Sequence, residues 1–190
     1  MSVAMEEGPR RHRITVDEYH RMAEVGLLAP DARVELIEGE IIDMPPIGHR
    51  HAAAVDRLNR LLNLAVGDRA IVRCQGPIRL GDLSEPQPDF ALLAPRADFY
   101  AERHPVAADT LLVIEVSETT LRYDRQTKLP LYARHGIPEM WIVDAAGKQL
   151  HIFRRPSGVA YDEIVSPPTP GITPIGSLPN VAIDLSSLFP

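Results

Sequence analysis

The chain has 190 residues, of which 45% are hydrophobic, and its formal net charge is −6. This length suffices for one well-filled core and is short for two, and the negative charge excludes a basic field over the whole protein. A nucleic-acid partner must therefore be bound by a local patch of positive charge. The single cysteine, Cys74, excludes an intramolecular disulfide framework and a zinc site with several cysteines, and we expect it to be buried.

The N-terminal sequence MSVAMEEGPRRHR lacks the apolar stretch of a secretory signal, and we expect residues 1–13 to be flexible. Nowhere do about 18 apolar residues run together, so no membrane span is predicted. The sequence therefore favours a cytoplasmic protein.

The first predicted elements are a helix, a hairpin and a second, longer helix. Thr15 lies three residues before Glu18, a spacing typical of the capping box at a helix start. In residues 32–44, apolar and acidic residues alternate on both sides of Gly39, which predicts a β-hairpin. Apolar residues at helical spacing over 49–66 predict the longest helix.

Strand patterns dominate the middle of the chain. An amphipathic helix is predicted from about Asp124 to Arg134, and residues 140–144 and 149–155 are predicted to form a strand pair. Three further strand-like runs precede this helix, at 70–80, 89–95 and 110–116.

The composition changes after Tyr161. Residues 166–180 are rich in proline and glycine, and we expect this arm to have no regular structure. Residues 181–189 are predicted to pack back on the core. The elements together predict one α/β domain over residues 14–190, with an arm at 166–180.

Two acidic residues occur in apolar surroundings. Asp89 starts one apolar run, and Glu115 lies inside the run TLLVIEV. A buried carboxylate costs several kcal/mol unless it is paired, hydrogen-bonded or bound to a cation. Two such acids on neighbouring strands indicate a site for Mg²⁺ or Mn²⁺. Lys128, on the next helix, could hold or deprotonate an attacking water and balance charge in a phosphodiester transition state.

The chain resembles the PD-(D/E)XK nuclease superfamily, and more closely its Uma-two branch of small bacterial proteins, from about Thr15 to Phe189. The resemblance rests on VELIEGEIIDMPP, the helix that carries His51, QPDFAL, the long run over 111–144, and the closing ITPIGSLPNVAIDLSSLF. It implies a restriction-endonuclease-like fold, which is a mixed β-sheet core flanked by helices, with an N-terminal helix and hairpin in this chain.

The resemblance also implies hydrolysis of DNA phosphodiester bonds, with the metal held by Asp89 and Glu115. The superfamily pattern has a lysine two residues after the glutamate, where this chain has Ser117. The Uma-two branch has its lysine on the following helix, which corresponds to Lys128. Asp124 lies one turn before it.

Three more residues belong to the site that the resemblance implies. Tyr132 lies one turn after the lysine, and Glu35 matches a glutamate that the branch places on the first hairpin. Glu35 is therefore a candidate third catalytic acid. His51 matches a histidine at the start of the long helix, near the implied cleft.

Each role has a structural alternative. Asp89 is also compatible with an acid in a turn, and Glu115 with a buried salt bridge to an arginine. Lys128 could pair with Asp124 on a solvated helix face, and Glu35 could lie on a solvated strand.

The leading hypothesis is a metal-dependent DNA endonuclease. The alternatives are a catalytically silent binding or assembly module with the same fold, and a phosphodiesterase that acts on RNA or nucleotides. Cleavage of both DNA strands favours a homodimer. We expect its interface on the strands at 140–144 and 149–155 or on the arm at 166–180. Seven arginines in two groups are candidates for phosphate contacts, although a solvated surface is the simpler interpretation: Arg57, Arg60, Arg69, Arg73, Arg79, Arg122 and Arg125.

Overall fold

The computed structural model describes residues 10–189. Most of the predicted flexible segment, residues 1–9, lies outside the described residues. The described chain forms a six-stranded mixed sheet flanked by helices, with an N-terminal helix and a hairpin, which confirms the predicted fold class. Within these residues, no helix has both the length and the apolar character needed to cross a membrane.

The N-terminal helix α1 (Val16–Glu24) begins at the predicted capping box. The amide of Thr15 donates to Oε2 of Glu18 at 2.8 Å, and the amide of Glu18 donates to Oγ1 of Thr15 at 3.2 Å. The hairpin follows as β1 (Val34–Ile37) and β2 (Glu40–Asp43), which pair antiparallel. Its turn needs Gly39, which has a φ of +82°.

The long helix α2 (His49–Val66) ends before Gly67 as predicted. The main sheet has its strands in sequence order, and only the β5–β6 pair is parallel. Cys74 is exposed, so the expectation that it is buried was wrong, because it ends an edge strand. The six strands are β3 (Ile71–Cys74), β4 (Phe90–Leu93), β5 (Thr110–Ser117), β6 (Glu139–Asp144), β7 (Gln149–Ser157) and β8 (Ala160–Val165).

The parallel pair requires a helical crossover, which covers one face of the sheet. The crossover consists of α3 (Leu121–Tyr123), a π-helical turn (Asp124–Lys128) and α4 (Leu129–Arg134). Pro130 has no amide hydrogen to donate to residue 126, and the wider turn accommodates this loss. The amide of Leu129 instead donates to the carbonyl of Asp124. The predicted helix therefore exists, and it starts earlier, at Leu121. The π-helical turn changes the directions in which its polar side chains point around the helix axis.

Alternation along β5 divides the core into two clusters on opposite faces of the sheet. Leu112 and Ile114 pack with α2 and the C-terminal segment. Val113 packs on the other face with Leu131 and Tyr132 of α4. Because side chains alternate along a strand, Glu115 shares the face of Val113.

The C-terminal arm has more order than its composition predicts. Within residues 166–180, β9 (Ile172–Pro174) pairs antiparallel with β10 (Ala182–Asp184). The expectation of no regular structure was therefore wrong for β9, because pairing with a later segment satisfies its backbone. Ile183 and Leu188 are fully buried, which confirms that residues 181–189 pack back on the core.

Buried Glu139 fastens the arm to the sheet. Its Oε1 accepts hydrogen bonds from the indole of Trp141 and from Nε of Arg154, both at 2.8 Å. Its Oε2 accepts from the amide of Ser177 at 3.0 Å. One side chain thus joins β6, β7 and the arm.

We predict that Glu139→Ala lowers the free energy of unfolding by about 3–5 kcal/mol, because it leaves Arg154 without its buried partner. Glu163→Ala is the matched control, since Glu163 is a partly exposed partner of the same arginine at 3.5 Å. The control substitution should lower the free energy of unfolding by only about 0–1 kcal/mol. Urea denaturation measures both, and equal losses would contradict the role of Glu139 in fastening the arm.

Candidate active site

The sheet brings Asp89 and Glu115 to one face. In the β4–β5 ladder Phe90 is opposite Ile114, so the next position places Asp89 opposite Glu115. The amide of Val116 donates to Oδ2 of Asp89 at 2.8 Å, which fixes the carboxylate against β5. Directly opposite residues of antiparallel strands point to the same face.

Glu115 is 4% exposed and is bound by two side chains of the crossover. Nζ of Lys128 lies 3.1 Å from its Oε1, and the hydroxyl of Tyr132 donates to the same oxygen at 2.7 Å. Burial raises the pKa of Glu115 to about 8, although the charge of Lys128 opposes the shift. Burial also raises the pKa of Tyr132, so this hydroxyl keeps its proton. The salt bridge considered for Glu115 exists, but its partner is a lysine.

Lys128 lies between two buried carboxyl groups. Its Nζ is 3.0 Å from Oε2 of Glu35, and the side chains of Lys128 and Glu35 are only 6% and 2% exposed. Burial lowers the pKa of Lys128, but the charges of Glu115, Glu35 and Asp124 outweigh this effect and the net shift is upward. The interpretations of Lys128 and Glu35 as solvated residues were therefore wrong.

Glu35 is held in place from the strand side as well. The amide of Gln87 donates to Oε2 of Glu35 at 3.1 Å, and the side-chain amide of Gln87 donates to the carbonyl of Val34. The segment QPDFAL thus contributes both Asp89 and the residue that orients Glu35. Gln87 was not among the predicted site residues, although it lies in that segment.

His51 is the second partner of Asp89. Its Nε2 lies 2.9 Å from Oδ1 of Asp89, and the side-chain amide of Gln75 donates to the same oxygen at 3.3 Å. The hydrogen bond to Asp89 raises the pKa of His51, while burial opposes the shift. The first turn of α2 therefore contacts Asp89, which lies opposite Glu115. Asp89 is not a solvated turn residue.

Ser117 and Asp124 form a separate pair beside the lysine. Oγ of Ser117 donates to Oδ2 of Asp124 at 2.6 Å, and Oγ1 of Thr120 donates to the same atom at 2.8 Å. Burial raises the pKa of Asp124, and these hydrogen bonds work in the opposite direction. Ser117 therefore orients Asp124 at the position where the superfamily pattern has a lysine.

An open cleft of about 420 Å³ connects most of these residues to the surface, and Ser117 and Tyr132 lie outside its lining. Asp89, Glu115 and Lys128 line it together with Glu118 and Tyr123, which sequence reasoning did not identify. The hydroxyl of Tyr123 is buried and has no hydrogen-bond partner among the described residues. The only sequence signal for these two was their position inside the run over 111–144.

The donor set of the cleft fits a hard divalent cation. Asp89 and Glu115 supply carboxylate oxygens from adjacent rigid strands, and Mg²⁺ takes one or two such groups and keeps several waters. A divalent cation placed here would be held by Asp89 and Glu115, with water in its remaining positions.

The raised pKa of Glu115 predicts how metal-free stability depends on pH. The folded protein holds this proton more tightly than the unfolded chain, whose value is near 4.5. The contribution of Glu115 is therefore fully present below pH 4.5 and is lost as the pH rises through about 8. We predict that Glu115→Gln removes this decline, whereas Glu118→Gln keeps it. Urea denaturation across this pH window measures the decline in the free energy of unfolding. The same pH dependence in the wild type and in Glu115→Gln would contradict the prediction.

Comparison with known proteins identifies related sequences and a related structure. The model of the Uma2 family, described as "Putative restriction endonuclease", matches residues 16–186. The crystal structure of a putative nuclease belonging to DUF820, from Anabaena variabilis ATCC 29413, is similar to this chain with a TM-score of 0.72. The alignment has 20% identity and covers 93% of this chain and 97% of that chain, so it shows a common fold. Among curated proteins, none matches this chain.

Proposed function

The chain belongs to the Uma2 family of putative restriction endonucleases, and on that premise we propose that it is a divalent-metal-dependent endonuclease that hydrolyses DNA phosphodiester bonds. The observation that carries the proposal is the contact of Lys128 with both Glu35 and Glu115 at the base of an open cleft. Buried ions are often less stabilising than apolar residues of similar size. A charged cluster of this kind, placed in a cleft, is typical of a site that performs chemistry.

In the proposed mechanism, Asp89 and Glu115 hold Mg²⁺ or Mn²⁺. The bound ion supplies Lewis-acid polarisation of the phosphate and stabilisation of developing negative charge. Lys128 directs an ammonium group into the same cleft, where it orients the attacking water and offsets charge on the phosphate. Its raised pKa favours this cationic role over removal of a proton from the water. Glu35 acts as a positioning residue through its contact with Lys128.

The charge of the cleft supports a requirement for a divalent cation in the proposed reaction. Its lining includes Arg33 and Lys128 as cations, against six carboxyl groups. A DNA phosphate entering this field without added positive charge is repelled. The six are Glu35, Asp43, Asp89, Glu115, Glu118 and Asp124.

Several of the candidate arginines are used inside the protein. Arg69 donates to carbonyls of Ala65, Val66 and Asn180, and Arg79 pairs with Asp17 and Asp82. These contacts leave fewer guanidinium donors available for phosphate binding. The proposal therefore assigns phosphate contact in the cleft to the cation and Lys128.

The test is incubation of the purified protein with supercoiled plasmid, linear duplex and single-stranded DNA in Mg²⁺ or Mn²⁺. RNA of matched sequence forms the parallel arm. We expect DNA cleavage that stops when the cation is chelated, and none with Asp89→Asn, in which the amide preserves the size of the side chain. Cleavage confined to RNA would replace the DNA proposal by the RNA alternative. Absence of cleavage in all arms would favour the silent binding module.

Cleavage of both strands leads to a proposal about assembly. We propose a two-fold dimer, because one active site per chain then serves each DNA strand. The strands at 140–144 and 149–155 cannot pair edge to edge with a second copy, since β6 and β7 are interior strands paired on both sides. The arm remains a candidate, because Ile172 is 80% exposed and the neighbouring edge strand β8 exposes Ile164.

We predict a dimer by light scattering at micromolar concentration and conversion to a monomer by Ile164→Lys combined with Ile172→Lys. Substitution of exposed Leu64 on α2 by lysine is the matched control, and it should leave the dimer intact. A monomeric wild type would contradict the proposal, and single-strand nicking would then be the expected reaction.

A further inference from the structure

A second cluster of metal-ligand residues lies outside the cleft. His20 of α1, Glu85 of the loop between β3 and β4, and His104 of the loop between β4 and β5 each direct one ligand atom to a common region. The three atoms all lie within 4.8 Å of one another. No two of these residues are close in sequence, so the fold alone assembles them.

The buried member of the cluster has an unused acceptor. Glu85 is 4% exposed, and its Oε1 lies 2.7 Å from Nε2 of His20. Its Oε2 is buried and has no hydrogen-bond partner among the described residues. A buried polar atom left unsatisfied is destabilising and calls for a specific explanation. A cation bound at this position would provide the missing partner.

The two imidazoles favour one class of cation. The rings of His20 and His104 meet edge-on, with centroids 5.9 Å apart and planes at 75°. Two imidazole nitrogens with one carboxylate oxygen form a donor set typical of Zn²⁺, whereas Mg²⁺ prefers oxygen alone. We propose that His20, Glu85 and His104 form a zinc site, separate from the carboxylate site of the cleft.

The geometry needs only a small adjustment. Donor atoms around a tetrahedral zinc lie roughly 3.3 Å apart, given metal–ligand distances of about 2.0–2.2 Å. His104 is exposed, and rotation of its side chain toward the buried glutamate is the adjustment that the site requires. Three protein ligands leave the fourth position to water.

The site would connect three parts of the fold behind the cleft. The amide of Glu85 donates to the carbonyl of Leu36 at 2.7 Å, and Leu36 follows Glu35 in β1. Glu85 also lies two residues before Gln87, whose amide binds Glu35. Zinc would thus join α1 to the loop and hairpin that hold Glu35, which gives the site a structural role.

The test is a titration with Co²⁺, used as a spectroscopic probe for zinc, in excess Mg²⁺ that competes for the carboxylate site. We expect one equivalent of Co²⁺ to bind and to show the strong visible absorption of four-coordinate Co²⁺. His104→Ala and Glu85→Gln should weaken binding at least as much as the ~10–100-fold caused by loss of an outer-shell partner. His12→Ala, an exposed histidine pairing with Glu18 at 3.5 Å, is the matched control and should bind normally.

Thermal denaturation supplies a second readout that does not depend on cleavage. Zn²⁺ should raise the melting temperature of the wild type and of His12→Ala, because it binds only the folded state. Zn²⁺ should leave the melting temperature of His104→Ala unchanged. Because residue 104 is exposed, this substitution is not expected to impair folding. Equal Co²⁺ spectra in the wild type and His104→Ala would overturn the proposal. Loss of Co²⁺ binding in Asp89→Asn would also overturn the proposal.

Discussion

Lys128→Met is expected to reduce DNA cleavage by at least about 10²–10³-fold, the usual cost of removing one preorganised electrostatic donor from an active site. Methionine keeps an unbranched side chain that is one atom shorter than that of lysine, and it removes the charge. Divalent-metal affinity should persist, because an ammonium group is not a ligand. The expected result is therefore a protein that binds the cation and fails to cleave.

The same substitution should also affect stability. Lys128 is buried between Glu35 and Glu115, and removal of one partner from a buried ion cluster costs about 3–5 kcal/mol. The loss should be smaller with Mg²⁺ present, since the bound cation replaces part of the missing positive charge. A solvated helix lysine would show neither effect.

Single-turnover cleavage, calorimetric metal titration and urea denaturation separate these effects for Lys128→Met. Arg134→Met is the matched control, because Arg134 lies on α4 of the same crossover, is exposed and pairs with Glu38 outside the cleft lining. The control should behave like the wild type in all three measurements. Full cleavage by Lys128→Met would remove the lysine from the mechanism.

Asp89→Asn and Glu115→Gln are expected to lose metal binding and cleavage together. Both amides preserve the shape of the acids, and the amide that replaces the Asp89 carboxylate retains an oxygen to accept from the amide of Val116. Loss of a charged ligand weakens hard-cation binding, and we expect cleavage to fall by at least about 10³-fold. These two variants should thus lose metal affinity, whereas Lys128→Met should keep it.

The control for the acid pair is Asp43→Asn. Asp43 also lines the cleft, but it is exposed and lies on the hairpin rather than on β4 or β5. Its substitution should leave metal affinity and the cleavage rate close to wild type. Normal Mg²⁺ binding in both Asp89→Asn and Glu115→Gln would place the cation elsewhere and refute the proposed ligand set.

The sequence by itself determined most of the elements up to β7 and identified Asp89 and Glu115 as two acids on neighbouring strands, but it predicted neither β8 nor β9. The spacing of Thr15 and Glu18 predicts the start of α1, and the apolar runs around Asp89 and Glu115 predict the strands that carry them. These features depend on residues close in the chain, whose relative positions local geometry sets. The resemblance added Glu35 and His51 and supported Lys128, and it did not define the contacts of these three residues.

Only the tertiary structure decided what those side chains touch. The hairpin pattern does not reveal which face is covered, so the burial of Glu35 depends on how β1 packs against the crossover. The rotation of Lys128 toward both glutamates depends on the π-helical turn before Pro130. The contact of His51 with Asp89 joins residues 38 positions apart. Local periodicity specifies neighbours within one element, whereas contacts between elements depend on the packing of the whole core.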